Sequence, residues 1–216
     1  MLAKFLDKEE SIIRKNVLKM GHETSQAIEK AINCYKTLNL ELADEIIIND
    51  ELINKLEKKI EAECIQVIAT QQPVAHDLRE LLADMNIAKE LERIADYAVS
   101  IAKIVQKMSS KDTEIEPEII EMADKCIVML NEVLVDYAEQ DAQKANNAAL
   151  KDDEIDEIEH RLNDKIFKII RSNPEQAIES TYQLWVIHQL ERMGDRVTNI
   201  AESVVFLATG KVVNYN

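Results

Sequence analysis

The chain has 216 residues, with 41 Asp and Glu against 26 Lys and Arg and a formal net charge of −15, which leaves room for one large domain or two small ones. Three Gly, three Pro and 4% aromatic residues exclude a sheet-rich fold and predict an all-α protein. So large an acidic excess excludes nucleic acid as a partner and a basic cradle for free phosphate; it suits cations or a basic partner surface. In chain order, apolar periodicity predicts six helical segments, roughly 4–37, 41–70, 75–108, 117–137, 142–171 and 174–209. The breaks between them are LNL at 38–40, QQPV at 71–74, SSKDTEIE at 109–116, AEQD at 138–141 and SNP at 172–174. Pro73, Pro117 and Pro174 each suit the first turn of a new helix, and Asn173 is the expected cap of the last.

The 109–116 break divides the chain almost in half, into units at 1–110 and 111–216, and the halves resemble one another. NDELINKLE at 49–57 matches KDDEIDEIE at 151–159, so that Asp50, Ile53 and Glu57 correspond to Asp152, Ile155 and Glu159 at an offset of 102. LERIADYAVSIA at 91–102 returns as LERMGDRVTNIA at 190–201, an offset of 99. Each half is therefore expected to be three long helices burying their own core: two tandem antiparallel three-helix bundles, end to end or side by side.

Each copy places a Glu four residues before an Asp, Glu92 with Asp96 and Glu191 with Asp195. Such pairs share a helix face and repel, costing about 0.2–0.5 kcal/mol each. Short turns make successive helices antiparallel neighbours, so reflection about the turns sets Asp50 and Asn54 opposite the first pair and Asp152 and Asp156 opposite the second. Asn199 and Glu202 extend the face of Glu191 and Asp195, where the first copy has Ser100 and Lys103. Converging oxygen ligands without thiolate suit a hard or borderline metal ion. A basic partner, or local neutralisation by Arg93, Arg192 and Arg196, stands as the alternative.

Other chemistries find less support. A di-iron bundle needs two inward Glu-x-x-His motifs; only Glu157 with His160 has that spacing. His188, one turn before Glu191, reads as a surface or half-buried residue and at most an occasional ligand. No Ser or Cys sits beside a base in a nucleophile context, so the chain reads as no enzyme. Cys34, Cys64 and Cys126 are scattered and suit a reducing cytoplasm. The N-terminus turns charged too soon for a signal peptide, and no apolar run approaches the roughly 18 residues that span a membrane.

PVAHDLRELLADMNIAKELERIADYAVSIA at 73–102 resembles the signature helix of the PhoU family, and HQLERMGDRVTNIAES at 188–203 resembles its second copy. NDELINKLE and DDEIDEIE resemble that family's repeated second-helix motif. The resemblance implies a PhoU-like, spectrin-repeat-like fold and a cytoplasmic, homodimeric negative regulator of phosphate uptake and of the phosphate-starvation response. It implies as partners the ATPase subunit of the phosphate ABC transporter and a sensor histidine kinase. It further implies metal ions (iron, zinc, nickel, magnesium or manganese) on the acidic motifs, carried here by Glu92, Asp96, Glu191 and Asp195 with Asp50, Asn54, Asp152 and Asp156. A metal-storage bundle and a metal-free adaptor are the rival functions. The family's Asp before L-E-R is Glu90 in one copy and Gln189 in the other, and its Gly in the first copy is Ala95.

Overall fold

The computed structural model describes residues 2–108 and 115–215, and among them it contains helices and no strand. α1 spans Leu2–Thr37, α2 Leu40–Gln71, α3 His76–Val105, α4 Pro117–Glu139, α5 Ala142–Ala149, α6 Asp152–Ser172 and α7 Ala177–Thr209. A 3₁₀ turn, Pro174–Gln176, precedes α7. Most of the 109–116 break, with the 110/111 boundary, lies outside the described residues.

The sequence signals at the helix ends act unevenly. Asn39 caps α2 by accepting from the Leu42 N–H at 3.1 Å, and Asp141 caps α5 by accepting from Gln143 and Lys144. Pro117 opens α4 as its missing N–H allows. Pro73 instead lies buried in a loop, and α3 starts three residues later behind Ala75, which is held at φ 49°. Pro174 opens the 3₁₀ turn, and Asn173 makes no side-chain cap there. The expected segment 142–171 is two helices, broken at Leu150 and Lys151. Asp152, Asp153 and Glu154 crowd the first turn of α6, where three carboxylates favour a fresh positive helix end over the middle of a longer helix.

α1, α2 and α3 pack on one another as the first bundle; α4, α6 and α7 form the second, with the short α5 laid on α4 and α7. The bundles sit side by side, α3 against α7 and α1 against α4, which leaves α2 and α6 as outer flanks. One apolar cluster runs through both, from Ile13, Val17 and Met20 to Val197, Ile200 and Val204. At Gly21 the crossing of α1 over α4 is so close that a Cβ would lie 2.5 Å from Leu134 Cδ1. Cys34, Cys64 and Cys126 are free and buried among these side chains, as small hydrophobes.

A polar group is buried in the same seam. Tyr137 of α4 donates to Asp84 of α3, Arg14 of α1 pairs with Glu80 of α3, and Gln140 donates to Glu80 at 3.5 Å. Glu10 lies beside them with no hydrogen bond to its Oε1. The seam therefore carries three carboxylates and one arginine among apolar helices.

Candidate metal centre

α6 and α7 are short-linked and antiparallel, so one carboxylate row faces another. Asp152, Asp156 and Glu159 come from α6; Asp195, Glu191 and His188 come from α7. Burial raises the Asp152 carboxyl to about 7, with repulsion from Asp156, Asp195 and Glu191 adding to it. Burial also raises Glu191 to about 7, reinforced by Asp195 and Glu159, and lifts Asp156, reinforced by Asp195. At the Asp152 end the row borders a cavity of about 240 Å³, lined by Asp152, Asp153, Asp156, Asp195, Thr198 and Tyr215 among others. At the far end Glu159, His188 and Glu191 bring ligand atoms within 4.8 Å of one another, the one such triplet of His, Cys, Asp or Glu among the described residues. His188 Nδ1 lies 3.4 Å from Glu191 Oε2.

Asp152 is the deepest member of the row. It is 9% exposed, and its Oδ1 has no hydrogen-bond partner. That oxygen occupies the space a side chain at Gly194 would need: a Cβ there would lie 2.2 Å from it. Leaving a buried carboxylate oxygen unpaired costs about 1–3 kcal/mol or more, which a bound cation removes. The donor set, five carboxylates and one imidazole, fits a hard or borderline metal ion.

The first bundle repeats the layout with different charges. Asp50, Asn54 and Glu57 of α2 face Asp96 and Glu92 of α3. Burial raises Asp50 and Glu92, and repulsion from Asp96 reinforces both shifts. Asn54 Nδ2 donates to Asp50 Oδ2 at 2.8 Å, a bond that Asp156 cannot make as a carboxylate. Lys89 stands where the second copy has His188, and Lys103 where it has Glu202. Lys103 acts favourably on Asp50 and Lys89 on Glu57. Ala95 replaces Gly194, and Asp50 is correspondingly less buried than Asp152. The first cluster thus carries two lysines for four carboxylates; the second has five carboxylates and no lysine.

The arginines make their hydrogen bonds elsewhere. Arg93 and Arg196 both donate to Glu90, at 3.0 and 3.4 Å, and Arg192 donates to the Tyr97 hydroxyl at 3.0 Å with its guanidinium 5.5 Å from the ring centre. All of these lie in the α3–α7 seam, so Arg93 and Arg192 ease Glu92 and Glu191 only as neighbouring charges. Asn199, expected to extend the Glu191–Asp195 face, donates to Glu90 at 3.2 Å because α3 packs against that side of α7. Glu202 accepts from the Tyr215 backbone N–H at 2.9 Å. His160, exposed, bonds the Asp156 carbonyl.

Glu159 was legible as the repeat partner of Glu57. Reflection about the turn at 173 sets it opposite residue 187, beside His188. It lies one rung beyond the Glu-x-x-x-Asp pairs, whose reflections fall on the Asp152 and Asp156 end of α6.

Comparison with known proteins agrees with the repeat. A PhoU domain model matches residues 17–105 and again 119–204. A "Phosphate-specific transport system accessory protein PhoU homolog" of Clostridium acetobutylicum is 33% identical over the full length of both chains. A homolog of the same description from Zymomonas mobilis is 34% identical over 96% of this chain and 88% of its own. The crystal structure of the phosphate transport system regulatory protein PhoU from Streptococcus pneumoniae superposes with a TM-score of 0.92 at 30% identity, over 97% of this chain and 99% of that one. PhoU from Pseudomonas aeruginosa superposes at 0.89 and 27% identity, over 95% of this chain and 99% of that one. With both repeats matched and the whole length aligned, the chain belongs to the PhoU family.

Proposed function

We propose that this chain is a non-enzymatic regulator of phosphate uptake, acting in the cytoplasm as a homodimer and restraining the phosphate-starvation response when phosphate is plentiful. Its partners in this reading are the ATPase subunit of the phosphate ABC transporter and a sensor histidine kinase. The names of its relatives support the phosphate-transport role. Among the described residues no helix is long and apolar enough to cross a membrane, consistent with a protein that works through partners.

In the same reading a metal ion shapes the acidic face. Asp152, Asp156 and Asp195 would hold it at the cavity end, and Glu159, His188 and Glu191 at the open end. Bound there, a cation supplies positive charge and ties α6 to α7. The protein's residues do the rest: they hold the oxygen donors at fixed height, and Gly194 makes room for Asp152. The buried, unpartnered Asp152 Oδ1 is the observation that carries the metal reading. The first copy, Asp50, Asn54, Glu92 and Asp96, is the weaker site, since Lys89 and Lys103 already supply cationic charge.

The test couples metal content to regulation. The protein is purified without chelator or affinity-tag metal and its metals are counted by plasma mass spectrometry. Glu191→Ala/Asp195→Ala and Glu92→Ala/Asp96→Ala are run beside it, each also placed over a deletion carrying a phosphate-starvation reporter. A small whole number of ions, lost in the second-repeat variant together with repression in high phosphate, is expected. Many exchangeable ions per chain would favour storage. A reporter indifferent to deletion of the chain would sink the regulator, and a metal-free wild type would sink the metal.

A further inference from the structure

The seam between α3 and α7 runs against the charge of the rest of the chain. Ile178, Tyr182, Trp185, Arg192 and Arg196 fall on one face of α7, and Arg93, Tyr97 and Lys107 on one face of α3. The helices are antiparallel, and these faces meet: Lys107 stands over the Trp185 ring, Arg192 over Tyr97, and Arg196 donates to Glu90. The strip they make is turned to solvent. Ile178 is 68% exposed and Trp185 46%, Lys107 is exposed, and the Arg93 side chain is 41% exposed.

Four cations share this strip, and Glu90 is the carboxylate bonded among them. Glu90 serves Arg93 and Arg196 together; Arg192 gives its Nε to the neutral Tyr97 hydroxyl, and Lys107 Nζ lies 5.9 Å from the Trp185 ring centre. Arg196 Nε is buried with no hydrogen bond. A chain of net charge −15 thus sets four positive charges against one negative along a strip about 21 Å long, the helical rise from Arg93 to Lys107. The acidic rows begin one residue away and turn from it. Glu92 and Asp96 face Asp50 of α2, and Glu191 and Asp195 face Asp152 of α6.

Trp, Tyr and Arg are the residues enriched at the centres of protein interfaces. Here the chain's single tryptophan stands half exposed, edge-on to Tyr182 with ring centres 5.5 Å apart, beside a cation. The repeat did not require it: at the offset of 99, Trp185 corresponds to Asn86 and Tyr182 to Ala83.

We infer that the solvent face of the α3–α7 seam is a docking site for an acidic amphipathic helix of a partner protein. Its apolar side chains rest on Trp185, Tyr182 and Ile178, and its carboxylates meet Arg93, Lys107, Arg192 and Arg196. Charge and width select this occupant. Packed helices lie about 8–10 Å apart, so one added helix about 10–12 Å wide covers the strip. A bilayer of anionic lipid, being broad and flat, would press on the acidic rows at either side. A free phosphate ion would leave the aromatic end unused, and a second copy would bring −15 against −15. The inference uses neither the metal ion nor the phosphate role, so its failure would leave both standing.

Trp185, as the single tryptophan, reports on the strip directly. Full-length protein is titrated at low salt with a helical peptide of about 15 residues, Leu on one face and Glu and Ala on the other, long enough to span the strip. Tryptophan emission is followed. The Lys-for-Glu peptide, phosphatidylglycerol vesicles and inorganic phosphate are run beside it, with circular dichroism and melting on every variant. The acidic peptide is expected to bind with a blue shift of the emission and to weaken as salt is added. Arg93→Ala/Arg192→Ala should weaken binding about tenfold or more, the scale of an interface hot spot. Lys55→Ala, which removes an exposed cation of α2, should leave it at wild-type strength. If the double variant does not fold, Lys107→Ala at the exposed end of α3 takes its place. No binding of the acidic peptide, or equal weakening by Lys55→Ala, would overturn the inference. A shift produced by the vesicles or by phosphate in place of the peptide would overturn it in favour of lipid or a free anion. Self-association of the wild type that Arg93→Ala/Arg192→Ala abolishes, read by light scattering, would overturn it in favour of a second copy.

Discussion

At Gly194 a single hydrogen atom in place of a methyl group decides how deep a carboxylate sits. The first copy has Ala95 there and leaves Asp50 partly exposed; the second has Gly and draws Asp152 in to 9% exposure. Replacing Gly194 with Ala would drive a Cβ to 2.2 Å from Asp152 Oδ1, a clash that the short side chain relieves by swinging outward. Gly194→Ala is therefore expected to leave the melting temperature nearly unchanged while metal affinity falls about tenfold or more, as for other groups that position ligands. Isothermal titration of the metal-free protein with zinc measures it, and an unchanged affinity would show that the depth of Asp152 is irrelevant to binding. The same comparison explains why Asn54 stands where the second copy has Asp156. Beside Asp96 and Glu92, an amide that donates to Asp50 replaces one repulsion with a hydrogen bond.

Between residues and the whole lies the short helix α5, eight residues that would not hold together in water alone. Its stability is borrowed from Ala145, Ala148 and Ala149, buried against α4 and α7, and from the Asp141 cap. α5 also supplies Asn146, whose side-chain oxygen accepts from the Tyr215 hydroxyl. Asp141→Ala removes the acceptor for two orphan N–H groups and is expected to cost about 1 kcal/mol. Amide hydrogen exchange should quicken in 142–149, leaving α1, α2 and α3 at wild-type protection. Uniform quickening throughout would mean that α5 unfolds only with the whole protein. The joint at 150–151 was not readable from apolar spacing, because the periodic positions run on through it. The charge pattern Asp152, Asp153, Glu154 did mark it, as a helix N-terminus.

Across the whole molecule, the two bundles share a core and a buried polar seam. Burial first, and Glu80 next, push Glu10 up to about 7 against the mild opposition of His76; Asp77 and Asp7 add to the rise. Burial likewise carries Asp84 to about 7, although the Tyr137 hydrogen bond and Arg14 pull it down and Glu80 and Glu10 push it up. The folded protein thus holds protons that the unfolded chain loses near pH 4. Their contribution to stability is present below the ordinary carboxylate range and is lost as pH rises toward and past 7. Chemical denaturation should give a lower unfolding free energy at pH 8 than at pH 5.5. Asp84→Asn keeps an oxygen for Tyr137 and cannot ionise, so it should flatten that slope; a slope identical to wild type would remove Asp84 from the account.

The sequence by itself determined that the protein is helical, that it is an internal repeat, and that each repeat sets acidic residues of neighbouring helices at one height. The physical basis is local: a 3.6-residue period, scarce turn residues, and short connections that force antiparallel neighbours. Only the tertiary structure decided that the bundles lie side by side, that Arg93, Arg192 and Arg196 make their bonds in the seam, and that Asn199 turns toward Glu90. It also decided that Asp152 sinks against Gly194 and that Tyr215 lines the cavity beside it. Periodicity tells which face of a helix must be covered; which element covers it depends on packing between residues tens of positions apart.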